Sequence, residues 1–187
     1  MKTPEHPIFL ESVNYIRSRL GHTGLDKVQQ SILERIIHSS GDFSLQSSMR
    51  FSSGACEEAV VALQNGAKIV TDTYMAEAAI SPMAKRTLNT DIHCILGKAP
   101  TIIDSTLTTR SAVGMRNMWL DFQKKNNLVK SPLVVIGSSP TALISLLNLV
   151  EAGYKVPSLI IGMPVGFIGV TESKNRLLNS KCPHIVL

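Results

Sequence analysis

Long apolar runs are missing from this sequence. No stretch reaches the roughly 18 uninterrupted apolar residues of a membrane-spanning helix, so a membrane protein is not indicated. The N-terminal segment MKTPEHPIFLESVNYIRSRLG is charged throughout and has no apolar core, which argues against a signal peptide and makes the cytoplasm the expected location. Cysteine is sparse: Cys56, Cys94 and Cys182 lie far apart and form no C-x-x-C pair, which excludes a zinc ribbon or disulfide framework and suggests buried thiols. Aromatic residues are only 5% of the chain and Trp119 is the single tryptophan, so a series of stacking platforms for single-stranded nucleic acid is absent. Charged residues amount to 18%, low enough to suggest that a second copy or a large ligand covers part of the surface. Neither G-x-G-x-x-G nor G-x-x-x-x-G-K-[ST] occurs, which leaves a nucleotide-binding module resting only on the glycine turns at Gly137 and Gly162. G-x-S-x-G is missing as well, and no Asp/Glu pair suggests glycosidase chemistry.

What is present is a chain of 187 residues with 44% hydrophobic content, enough for one compact domain over residues 1–187. The formal charge of +5 comes from scattered Lys and Arg, which fits a small polycarboxylate at least as well as nucleic acid. Apolar residues at three- and four-residue spacing predict two N-terminal helices, through Ile8, Phe9, Val13 and Ile16 and then through Leu25, Val28, Ile32 and Ile36, with Gly21 and Gly24 between them. A strand-like stretch is expected over Leu45 to Phe51, and a helix over Ala55 to Leu63. Further strands are expected at Ala67–Thr71, Ile92–Leu96, Leu133–Ile136, Leu159–Ile161 and His184–Leu187, and further helices near Met75–Ile80, Ser111–Lys124 and Thr141–Val150. Alternation of this kind predicts an α/β three-layer sandwich with a mostly parallel sheet.

Ligands of such sheets bind beyond the carboxyl ends of the strands, which draws attention to the segments 72–75, 137–142 and 162–167. The turn Gly137-Ser138-Ser139-Pro140-Thr141 can present backbone N–H groups to a carboxylate, or can simply cap a helix. His38 closes a helical segment with Arg35 on the same side. It is placed either to act as a general acid or to complement the negative end of its helix. Arg110 follows Thr108 and Thr109 at the start of the long helix, where a cation opposes the macrodipole; an anionic ligand or plain solvation accounts for it. His6, His22, His93 and His184 lack metal-ligand spacing and are taken as structural.

Together these segments resemble one family, the precorrin-8X methylmutases, in order and along nearly the whole chain. Arg35-x-x-His38-x-x-Gly41, Asp72-x-x-Met75 and Thr108-Thr109-Arg110-Ser111-Ala112 are similar to its histidine, aspartate and threonine-arginine motifs. Ile136-Gly-x-x-Pro140-Thr-Ala-Leu143 and Gly162-x-Pro-Val-Gly-Phe-x-Gly169-x-x-Glu172-Ser-Lys174 resemble its late signatures. The resemblance implies a flavodoxin-like or Rossmann-like fold, a homodimer with shared active sites, and methyl migration on ring C of precorrin-8X or cobalt-precorrin-8 without a cofactor. His38 would be the catalytic acid, and Ser12, Arg35, Asp72, Thr109, Arg110, Ser138, Ser139, Thr141 and Lys174 would bind substrate. The sequence departs at Ser138, where the family usually has Asn, and at Ala79, where it has Gly. It stops at Leu187, where the family continues into a glycine-rich arginine loop and a closing helix, so those parts are expected to be missing. A non-catalytic tetrapyrrole carrier, or an inactive relative, is the alternative expectation.

Overall fold

The computed structural model describes residues 6–102, 104, 106, 108–124 and 130–187. Its contacts divide the chain into two compact units, one running to Met49 and including Leu187, the other from Arg50 to Val186.

The first unit is a helical hairpin, α1 (Pro7–Leu20) and α2 (Lys27–Ser40), followed by the single turn α3 (Leu45–Ser48). Asp26 starts α2 through a capping box, accepting from the N–H groups of Val28 and Gln29 while the Gln29 side chain accepts from Asp26 N–H. Gly41 ends α2 in the left-handed region at φ 70°, which a side chain would strain. Val13, Ile16, Leu20, Leu33 and Ile37 are the buried apolar positions, at helical spacing. Glu34, also buried, is held by both forks of Arg17 at 2.8 and 2.9 Å. The expected strand over Leu45 to Phe51 is instead a helical turn followed by two strand residues. Asp42 accepts from Ser44 N–H and the Ser47 hydroxyl donates to the Ser44 carbonyl, so local bonds bend the backbone away from a ladder.

The second unit is a six-stranded sheet: β1 (Arg50–Phe51), β2 (Ile69–Thr71), β3 (Ile92–Cys94), β4 (Leu133–Ile136), β5 (Leu159–Gly162) and β6 (His184–Val186), in the order β1-β6-β5-β4-β2-β3. Only β1 is antiparallel. The five parallel strands follow the flavodoxin-like order, which decides between the two folds the sequence left open. The helices are α4 (Ala55–Gln64), α5 (Tyr74–Thr87), α6 (Arg110–Lys124), α7 (Pro140–Glu151) and α8 (Val170–Leu178). The crossover through α5 runs one way across the sheet and those through α6, α7 and α8 the other, so right-handed crossings place them on opposite faces. Val70, Val134, Ile136 and Ile160 of the sheet share one buried cluster with Met115, Trp119, Leu143, Leu146 and Leu177 of α6, α7 and α8.

Several bounds differ from the sequence expectations. α5 continues seven residues past Ile80, through Pro82. The proline deprives only the Ala78 carbonyl, which lies on an exposed stretch open to water, and Ala84 beyond it is buried. β3 gives way to a 3₁₀ turn at Ile95–Lys98, and the helix that the resemblance implies after Gly162 begins only at Val170, as α8. Cys56, Cys94 and Cys182 are buried thiols.

Candidate functional site

In the first unit, His38 stands in the last turn of α2, exposed, with its Nδ1 2.7 Å from the Ser12 hydroxyl of α1. Whichever atom carries the shared proton, this bond fixes the rotation of the ring and leaves Nε2 without a hydrogen-bond partner among the described residues. Phe9, one turn before Ser12, meets the imidazole edge-on at 5.0 Å between centroids. The Arg35 guanidinium lies over the same phenyl ring, 4.9 Å from its centre. Ser12, Arg35 and His38, singled out from sequence, are thus brought together. Phe9, quoted from sequence only as part of a motif, is the piece between them.

In the second unit, the segments 72–75 and 137–142 singled out from sequence meet where the strand order reverses, between β2 and β4, the position at which open parallel sheets form a crevice. Asp72 follows β2 and is fully buried. Its carboxylate accepts from the N–H groups of Gly137 at 3.1 Å and of Ser138 and Ser139 at 2.7 Å each. Those are the N–H groups that the sequence left open either to a ligand carboxylate or to a helix cap. The structure gives them to Asp72, which acts as a built-in anion and holds the β4–α7 turn closed.

Beyond this clasp, the Ser139 hydroxyl caps α7 by accepting from Ala142 N–H at 3.2 Å, and Thr109 caps α6 by accepting from Ala112 N–H at 3.1 Å. Thr141 joins the two caps, 2.7 Å from the Thr109 hydroxyl and 3.0 Å from that of Ser139. Thr109, Ser139 and Thr141 therefore form one hydroxyl chain linking two helix N-termini, neither of which carries an acidic residue in its first turn. Arg110 opens α6, exposed, with Nε donating to the Pro100 carbonyl at 3.2 Å. Lys174 is half-buried on α8. That helix begins only at Val170, so its N-terminus lies eight residues beyond Gly162. The intervening loop is pinned to the β4 side by Met163 N–H donating to the Ile136 carbonyl at 2.8 Å.

Two of the remaining histidines have structural surroundings. His6 caps α1, accepting from Ile8 N–H, and buried His184 lies 2.9 Å from the Cys182 carbonyl. No cluster of His, Cys, Asp and Glu suited to a metal ion occurs among the described residues, and none of their helices is long and apolar enough to cross a membrane.

Comparison with known proteins agrees with this arrangement. The family model described as precorrin-8X methylmutase matches residues 7–187. A cobalt-precorrin-8 methylmutase from Synechocystis sp. is 34% identical over 195 residues, covering 97% of this chain and 86% of that protein. A precorrin-8X methylmutase from Pseudomonas aeruginosa is 34% identical over 176 residues, covering 91% and 79%. The crystal structure of precorrin-8x methyl mutase from Thermus thermophilus superposes with a TM-score of 0.81 at 29% identity, covering 96% and 84% of the two chains.

Proposed function

This chain belongs to the precorrin-8X methylmutase family, isomerases of cobalamin biosynthesis, and we propose that it moves a methyl group between adjacent ring-C carbons of precorrin-8X or cobalt-precorrin-8, with His38 as the proton donor. The observation that carries this reading is the Ser12–His38 bond, which leaves Nε2 as the ring nitrogen available to the macrocycle. A proton or hydrogen bond from Nε2 draws electron density from the conjugated system. The methyl can then leave one carbon and bond to its neighbour, one C–C bond breaking as another forms. Atoms and oxidation state balance within the substrate. The donor returns unchanged when the ring gives the proton back.

Ser12 sets the imidazole, and Arg35, kept beside it by Phe9, meets a carboxylate of the substrate. In the other unit Thr109, Arg110, Ser139, Thr141 and Lys174 serve the acetate and propionate arms, and Ser138 lines the same turn. Asp72 acts through that turn, because its carboxylate is already taken up by three N–H groups. The reading includes a homodimer, supported by Val165, Phe167 and Ile168 standing exposed on one loop.

Purified protein incubated with precorrin-8X, followed by visible absorption beside the His38→Ala variant, tests the assignment. Conversion to the corrin product that is lost in the variant supports it. Conversion at an undiminished rate in the variant removes His38 from the mechanism, and binding without conversion by the unaltered protein would favour a carrier.

A further inference from the structure

Between the outer faces of α6 and α7 lies a hollow of about 630 Å³. Its walls are two stripes, Ala112, Val113 and Arg116 of α6 behind the capping Thr109, and Thr141, Ile144, Ser145 and Asn148 of α7. The space exists because short side chains face each other at Ala112 and Ser145, where the Ser145 hydroxyl donates to the Ala112 carbonyl at 2.9 Å and closes the floor. Among the described residues no acidic side chain lines the hollow. Arg116 makes no ion pair among the described residues, whereas Arg176, which binds Asn148 at the far end, is neutralised by Glu151.

Proton accounting at the mouth points the same way. Thr109, Thr141 and Ser139 own three O–H groups but share only two contacts, and the caps they provide are acceptor roles. One O–H is left over, at the meeting point of two helix N-termini that favour negative charge. Arg116 lies seven residues into α6 from Thr109, a rise of about 10 Å, and long side chains on a helix lean back toward its N-terminus. Arg116 and the hydroxyl mouth thus line the same hollow from one helix side, with the guanidinium free to lean toward a carboxylate seated between them.

We infer that this hollow is a carboxylate subsite that seats one acidic arm of the tetrapyrrole, with Arg116 supplying the charge and the Thr109–Thr141 pair the spare O–H. The inference rests on the methylmutase reading and adds a residue that neither the motifs nor the family match singles out. Absorbance titration with hydrogenobyrinate, and with the same corrin after its carboxylates are converted to amides, tests it on the unaltered protein, on Arg116→Gln and Arg116→Lys, and on Arg86→Gln as a remote charge control. Arg116→Gln is expected to weaken hydrogenobyrinate binding about tenfold and Arg116→Lys about threefold, with the amide and the control variant unaffected. Unaltered affinity in Arg116→Gln, while the parent protein still binds and converts its substrate, overturns the subsite alone. Equal weakening for acid and amide also overturns it, since charge would then not be what Arg116 contributes. Absence of both binding and turnover in the parent protein removes the methylmutase reading itself.

Discussion

Ser12 and Phe9 meet His38 by different physical means, Arg35 meets Phe9, and each can be removed separately. Ser12→Ala deletes the partner of Nδ1, so the ring can turn and its tautomer is no longer set. The expected result is a fall in kcat of roughly 10- to 100-fold with little change in KM, together with a displaced pH profile, read from initial rates between pH 5 and 9. A KM effect alone would make Ser12 a substrate contact only. Asp72 offers a second test at this scale. Replacement by Ala leaves three inward-facing N–H groups unsatisfied and should cost about 3 kcal/mol, with part of the melting temperature restored by added formate or acetate, which fits the vacated position. Rescue by chloride to the same extent would show a general salt effect. That Ser12 meets His38, and Thr109 meets Thr141, was legible in the sequence to the extent that the motifs name these residues as a set. What could not be read was that Asp72 points inward: a carboxylate near a glycine turn looks the same in sequence whether it meets a ligand or its own backbone.

At the scale of elements, the α1–α2 hairpin depends on a partly buried ion pair. The hydrogen bonds from Arg17 hold the Glu34 carboxyl below its ordinary value of 4.5, outweighing the opposing effect of burial. A depressed folded value means that the stabilisation is complete above the unfolded value and is lost as pH falls through the folded one. Melting curves from pH 7 down to pH 3 should therefore show the advantage of the unaltered protein over Glu34→Gln shrinking below about pH 4.5. A gap that stays constant would contradict the assignment. The close approach of α6 to the 3₁₀ turn after β3 makes a sharper case. A Cβ at Gly114 would sit 2.5 Å from the Ile95 carbonyl oxygen, and backbone cannot move aside cheaply. Gly114→Ala should cost about 2 kcal/mol by denaturant titration, against the usual gain of replacing a helical glycine by alanine. Parallel strands and long helices were readable from their periodicity. The turn α3 was not, because side-chain bonds to neighbouring backbone decide it, and neither was the end of β3, where the largely apolar run Ile92–Leu96 continues into the 3₁₀ turn. α8 carries Glu172 in its first turn and Arg176 in its last, with buried Ser173 and Leu177 one turn apart, a pattern obscured by reading the segment as a motif.

At the scale of the whole molecule, strand order tells more than composition. The parallel strands reverse direction of winding between β2 and β4, and Asp72 already fills the anion position that such sheets offer there to phosphates. ATP, NAD and flavins are accordingly expected to leave the melting temperature unchanged, and a rise of several degrees with any of them would reopen the nucleotide reading. The excess of five positive charges, scattered in sequence, matches a ligand with carboxylates around its rim better than one with a linear backbone. The central claim is that a methyl group moves within one molecule. Precorrin-8X carrying ¹³C in the migrating methyl, incubated with the protein and followed by NMR and mass spectrometry, tests it most directly. The account predicts that the label appears on the adjacent ring-C carbon with the mass unchanged, whereas a label that stays in place, or a product of different mass, would contradict it.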